Sequence, residues 1–152
     1  MYQTLLILHS VLRWVVLILG LVAVARALVG RGRPWGPADD AAGKWYVISL
    51  DVQTLVGLLL YAFLSPMTQA AFTDMGAAMK MPALRFFAVE HLALAVIAVA
   101  FAHVGRVRIR RAATDAARFR AAAVFYTVSL LAILVAIPWP FRSAGRPWLP
   151  SF

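Results

Sequence analysis

Residues 85–105 read Arg85-Phe-Phe-Ala-Val-Glu-His-Leu-Ala-Leu-Ala-Val-Ile-Ala-Val-Ala-Phe-Ala-His-Val-Gly105. An apolar run of this length crosses the ~30 Å hydrocarbon core of a bilayer as one helix, which takes ~20 residues. It carries Glu90 and His91 near its start and His103 near its end. Counting from His91 in helical steps puts Ala95, Ala98, Ala102 and Gly105 on one stripe. Small residues in that register let a neighbouring helix, or a flat cofactor, come close to the backbone. Ionisable side chains at membrane depth are costly, so each is read first as a candidate site.

Three further apolar segments flank this one, at about 5–27, 45–64 and 121–137. The composition agrees: 63% hydrophobic residues, 14% charged and a mean hydropathy of +0.82, against roughly 45–50% and about 25% for a soluble domain. The first segment lacks the basic leader and small-residue cleavage site of a signal peptide, and His9 and Arg13 interrupt it, so it reads as a retained helix. Gly30 to Gly43, rich in Gly, Pro and Asp, reads as a loop. The second segment carries Asp51, Gln53 and Thr54 and stops at Ser65-Pro66. Within the mixed-polarity stretch Thr68 to Pro82, residues Ala71 to Lys80 fit a short interfacial helix. The fourth segment ends in Pro138-Trp-Pro140, and the aromatic tail with Trp148 and Phe152 suits an interface.

The expectation is an all-α integral membrane protein of one domain, residues 1–152, folded as a four-helix up-and-down bundle. The loops after the first and third segments hold Arg26, Arg31, Arg33, Lys44, Arg106, Arg108, Arg110, Arg111, Arg118 and Arg120, ten of the fifteen basic residues. The positive-inside rule then places both termini outside the cytoplasm. Because the basic residues flank apolar blocks, the net charge of +9 reads as topology and lipid headgroup contact, not nucleic-acid binding.

In this topology the first and third helices run parallel. His9 and His91, each near the start of its helix, fall at nearly equal depth in the outer half of the membrane. His9 heads its own stripe through Val16, Gly20, Ala23 and Ala27, with Arg13 one turn below on the same face. Two imidazoles at matched depth above small-residue grooves suit the two axial positions of a b-type haem, with Arg13 and Arg85 near the propionates. The same residues also fit a structural role, the histidines hydrogen-bonding across helices and Arg13 snorkelling or pairing with Glu90. Asp51 and His103 fall together nearer the cytoplasmic face, as a buried polar contact or a proton-sharing pair.

Other chemistry is missing from the chain. Without cysteine there are no disulfides, thiolate metal sites or covalent haem attachment. There is no Gly-rich phosphate loop, no His-Glu-x-x-His and no nucleophile elbow. The carboxylates are too scattered for a di-metal bundle site.

With these residues in hand, the chain resembles a family of small four-helix bacterial membrane proteins commonly labelled "cytochrome B". The resembling stretches are Leu8-His-Ser-Val-Leu-Arg-Trp14, Gln53-Thr-Leu-Val-Gly57 with Leu60-Tyr61 and Ser65-Pro66, Arg85-Phe-Phe-Ala-Val-Glu-His91, and Ile137-Pro-Trp-Pro140. They touch all four segments. The resemblance implies His9 and His91 as shared histidines and a bacterial inner-membrane location; it departs at Asp51, where the family pattern often carries histidine, and His103 lies outside the shared pattern. The leading expectation is therefore a membrane electron-transfer protein holding haem b near the outer face, with His9 and His91 as ligands, Arg13 and Arg85 as propionate partners and Glu90 behind them. A quinone or a larger complex would be its redox partner. The alternative is a cofactor-free accessory subunit, packed as one of several chains in a respiratory or photosynthetic membrane complex, with its small-residue stripes facing partner helices.

Overall fold

In the computed structural model residues 1–148 are described; Phe152 lies outside them. Among the described residues six helices occur in chain order: α1 (Tyr2–Val29), α2 (Pro37–Leu64), α3 (Pro66–Thr73), α4 (Met75–Lys80), α5 (Pro82–Arg111) and α6 (Asp115–Ala136). No strand occurs among the described residues. Four helices, α1, α2, α5 and α6, are long and apolar enough to cross a membrane. Their outer faces carry large apolar side chains, such as Ile18, Leu55, Val96 and Leu131, all more than half exposed, while the interior is built largely of alanine and a few aromatics. Apolar outside and small inside is the pattern of helices solvated by lipid, which places the chain among multi-pass membrane proteins.

The helices overrun the apolar segments, and the reasons are local. α2 begins at Pro37 and not near Trp45. Proline suits the first helical turn, and the Asp39 carboxylate accepts the Gly36 backbone N–H at 3.0 Å. The loop thus shrinks to Gly30–Gly36. α5 continues through the basic run to Arg111, whose arginines suit the C-terminal end of the helix dipole. After Ala112–Thr114 the chain re-enters as α6, where the Thr114 hydroxyl accepts the Ala117 N–H at 3.2 Å. α6 stops at Ala136, two residues before Pro138, because proline disfavours helix in the residue before it. The expected interfacial helix is two, α3 and α4, broken at Asp74, whose carboxylate caps α4 through Ala77 N–H at 2.9 Å.

The bundle has two unlike ends. The loop end gathers most arginines and three of the acids. Asp39 accepts from Arg26 at 2.9 Å and from both Arg33 nitrogens at 2.7 Å, a hydrogen bond that raises the Arg33 guanidinium above its ordinary pKa. Asp40 takes a two-pronged contact from Arg106 at 2.7 and 2.8 Å, tying α2 to α5. The terminal end holds Met1, α3, α4 and the tail, where Trp148 stacks on Trp14 at 6.2 Å and its carbonyl accepts from Arg13.

Around the ring α1 packs on α2, α1 on α6, and α6 most extensively on α5; the seam between α2 and α5 is the loosest. The α5 stripe of Ala98, Ala102 and Gly105 is buried against α6, and the α1 stripe of Val16, Gly20, Ala23 and Ala27 is buried as well. At mid-bundle Tyr46 Oη lies 2.7 Å from Ser129 Oγ, which donates to the Ala98 carbonyl at 2.7 Å. Those two bonds join α2, α6 and α5.

Candidate functional site: a histidine-lined cavity at the terminal end

Near the terminal end the four spanning helices leave a cavity of about 150 Å³, mainly apolar, lined among others by His9, Arg13, Gln53, Tyr61, His91 and Arg146. Two irregularities in the helices shape it. Leu60–Leu64 in α2 and Phe86–Glu90 in α5 are π-helical turns, each a one-residue excess over the α pattern. Each turn loosens carbonyls from the regular ladder, and hydroxyls take them up. Tyr61 Oη donates to the Ala88 carbonyl at 2.7 Å, and Thr68 Oγ1 donates to the Tyr61 carbonyl at 2.7 Å. The two turns are thereby stitched to each other and to α3, which fixes the wall on either side of the cavity.

His9, from α1, and His91, from α5, meet inside with ring centroids 6.2 Å apart and planes inclined at 67°. The Nδ1 of His91 lies 2.8 Å from the Ala136 carbonyl. A carbonyl only accepts, so this contact places the proton on Nδ1 and leaves Nε2 as a bare acceptor in the neutral ring. His9 Nε2 lies 3.3 Å from the Gln53 amide nitrogen, whereas His9 Nδ1 and Gln53 Oε1 are buried without partners. With the Gln53 amide turned so that its oxygen faces His9, Nε2–H donates to it and Nδ1 keeps a free lone pair. In either orientation His9 Nδ1 is buried and unmatched, which is rare for a polar atom in a settled interior. The ring sits here because Gly57 has no side chain: a Cβ at that position would come within 2.9 Å of His9 Cε1.

The cations divide. Arg13 lines the cavity, donates one Nη2–H to the Trp148 carbonyl at 2.8 Å and leaves Nε buried without a partner. Arg146, which the sequence pattern does not single out, lines the same cavity, with its guanidinium 5.1 Å from the Phe87 ring centre. Arg85 and Glu90 do not line it. They pair with each other at 2.7 Å, both half-exposed, and Glu90 does not meet Arg13. The Asp51–His103 pair does form, Oδ1 to Nε2 at 2.8 Å, but outside the bundle core: the two side chains are 40% and 51% exposed on the α2–α5 seam.

No group of three or more His, Cys, Asp or Glu side chains stands ready for a bare metal ion among the described residues. The groups that converge are two imidazoles, two guanidiniums and an amide around an apolar space. Fold and site together define a helical multi-pass membrane protein with an internal, histidine-lined cavity. Comparisons with family models, with curated proteins and with solved structures find no match to this chain.

Proposed function

We propose that this chain is a b-type cytochrome-like electron carrier of the bacterial inner membrane, in which His9 and His91 would hold one haem b. The observation that carries the reading is the facing of two imidazoles across an apolar cavity, at least one with an unmatched buried nitrogen. Their centroids lie 6.2 Å apart, a spacing at which both imidazoles would hold one iron. The ring macrocycle supplies the remaining nitrogens, so two protein ligands suffice. The Ala136 carbonyl orients His91, and Gln53 does the same for His9. Arg13 and Arg146 are the cations positioned for propionates; this reassigns the role expected of Arg85, whose guanidinium is engaged by Glu90.

The cavity is smaller than the ~300–1,000 Å³ of ordinary ligand pockets, so a macrocycle enters only if helices part. Haem supplies a one-electron iron couple, and the protein's part is to hold it in a dry site. The basic loop end faces the cytoplasm in this reading, so both termini and the cavity face outward, where a quinone or a larger membrane complex exchanges the electron.

The test is a reduced-minus-oxidised visible spectrum of protein purified with haem supplied, together with the haem-to-chain ratio. A sharp low-spin α-band near one haem per chain is expected, lost in His9→Ala and in His91→Ala while insertion persists. No Soret band in the parent protein, or unchanged spectra in both variants, would sink the reading and leave the accessory-subunit alternative standing.

A further inference from the structure

The loosest seam of the bundle carries its most misplaced polar pair. Asp51 is near the middle of α2, and it and His103 are joined at 2.8 Å on the outside of the bundle. Toward the middle of the bundle the surface beside them is apolar, with Ile48, Val52 and Leu55 on α2 and Val104 and Val107 on α5 all exposed; toward the loop end Arg106, Arg108 and Arg110 follow His103. A half-exposed ionisable pair on a face of a spanning helix is costly unless protein covers it, since intramembrane charges face a bundle interior or pair with further polar groups. Their own contact does not use them up. Asp51 Oδ2 and His103 Nδ1 make no hydrogen bond among the described residues.

We infer that the α2–α5 seam is a two-fold interface between copies of this chain, closed by a ring of two Asp51 and two His103 side chains. The chemistry is self-complementary, which is what a two-fold interface demands. Rotation would bring the free Asp51 oxygen of each copy to the free His103 nitrogen of the other, a hydrogen bond in which the doubly protonated imidazole donates and the carboxylate accepts. A hydrophobic partner, or lipid, offers neither group. The neighbouring stripe also permits close approach. Ala100 lies one turn before His103 on the exposed side of α5, the small residue that helix pairs in membranes place at their contact. This inference does not depend on the haem reading, because the pair lies outside the cavity lining.

The chain has no cysteine, so single cysteines report contact cleanly. Ala100→Cys and, on the far side of the bundle, Leu131→Cys would be oxidised in native membranes and run without reductant. The first is expected to migrate as a dimer and the second as a monomer. Absent cross-linking of the first, or equal cross-linking of both, would overturn the interface. Adding Asp51→Leu and His103→Leu to the Ala100→Cys chain should cut cross-linking at least several-fold; undiminished cross-linking in inserted protein overturns the role of the pair. The unmodified protein in mild detergent gives a second reading that needs no variant. Light scattering should give a protein mass of two 16.6 kDa chains, and one chain, or a stable complex with a different protein, would refute the proposal.

Discussion

Gly57→Ala places a methyl group where the His9 ring now lies. The added Cβ would stand 2.9 Å from His9 Cε1 and 3.5 Å from Nδ1, well inside the ~3.5–4.0 Å of ordinary carbon contact. The imidazole must swing by more than half an ångström, and it is the ring that Gln53 contacts and that meets His91 at 6.2 Å. Overpacking of this kind costs about 1–3 kcal/mol, which corresponds to about 5- to 150-fold weaker retention of a ligand that depends on that ring. Gly20→Ala is the matched control. Its Cβ would meet Tyr46 Cε2 at the same 2.9 Å and Leu130 Cδ1 at 3.0 Å, but in the packed middle of the bundle. Both variants should therefore lose thermal stability to a similar extent. Only Gly57→Ala should lose haem on dilution, measured as decay of the Soret band in washed protein. Equal haem loss from both, or none from Gly57→Ala, would refute the claim that Gly57 exists to seat His9.

Two further tests address the frame around the site. Tyr46→Phe and Ser129→Ala each remove part of the bridge between α2, α6 and α5 and should cost about 0.6–1.7 kcal/mol in unfolding measurements in micelles. The double variant should fall short of the sum, because both act on one chain of hydrogen bonds. Topology is checked with an alkaline phosphatase fusion after the last residue, expected active outside the cytoplasm. An inactive enzyme alongside a fluorescent cytoplasmic reporter at the same place would reverse the orientation.

Much of the architecture is legible in the residues alone. The apolar lengths specify four spans, and helical counting from His9 and His91 finds the two stripes that pack the bundle. The meeting of those histidines comes from their equal distance to one end. One group of features that escape such counting traces to the π-turns. Arg85 and Glu90 are five residues apart, which in an α-helix puts them on different faces. The wider turn at Phe86–Glu90 brings them together, so Glu90 pairs with its own neighbour and not with Arg13. Nothing in Leu60-Tyr-Ala-Phe-Leu64 or Phe86-Phe-Ala-Val-Glu90 announces such a turn, so the reach of Tyr61 to the Ala88 carbonyl is not legible in the sequence. Arg146 sits in a tail with no periodicity to place it. Helix ends depart from the hydropathy pattern where caps outweigh it, as at Pro37 and Asp115.

The surplus residue in each π-turn has a consequence for how this protein can vary. In an α-helix every position is locked in phase with every other, so a side chain cannot be re-aimed without turning the whole rod. One additional residue rotates the remainder of the helix by about 100°. In α5 it sets Pro82–Arg85 out of phase with the length from His91 onward that packs against α6; in α2 it falls in the last turn, after Gln53 and Gly57. The histidine-facing lengths therefore keep the phase of the packed bundle, and only the ends beyond the turns are released from it. Lineages could retune what those ends present, the stretch before Phe86 and the connection into α3, by gaining or losing a single codon there, while His91 and Gly57 stay aimed at the cavity.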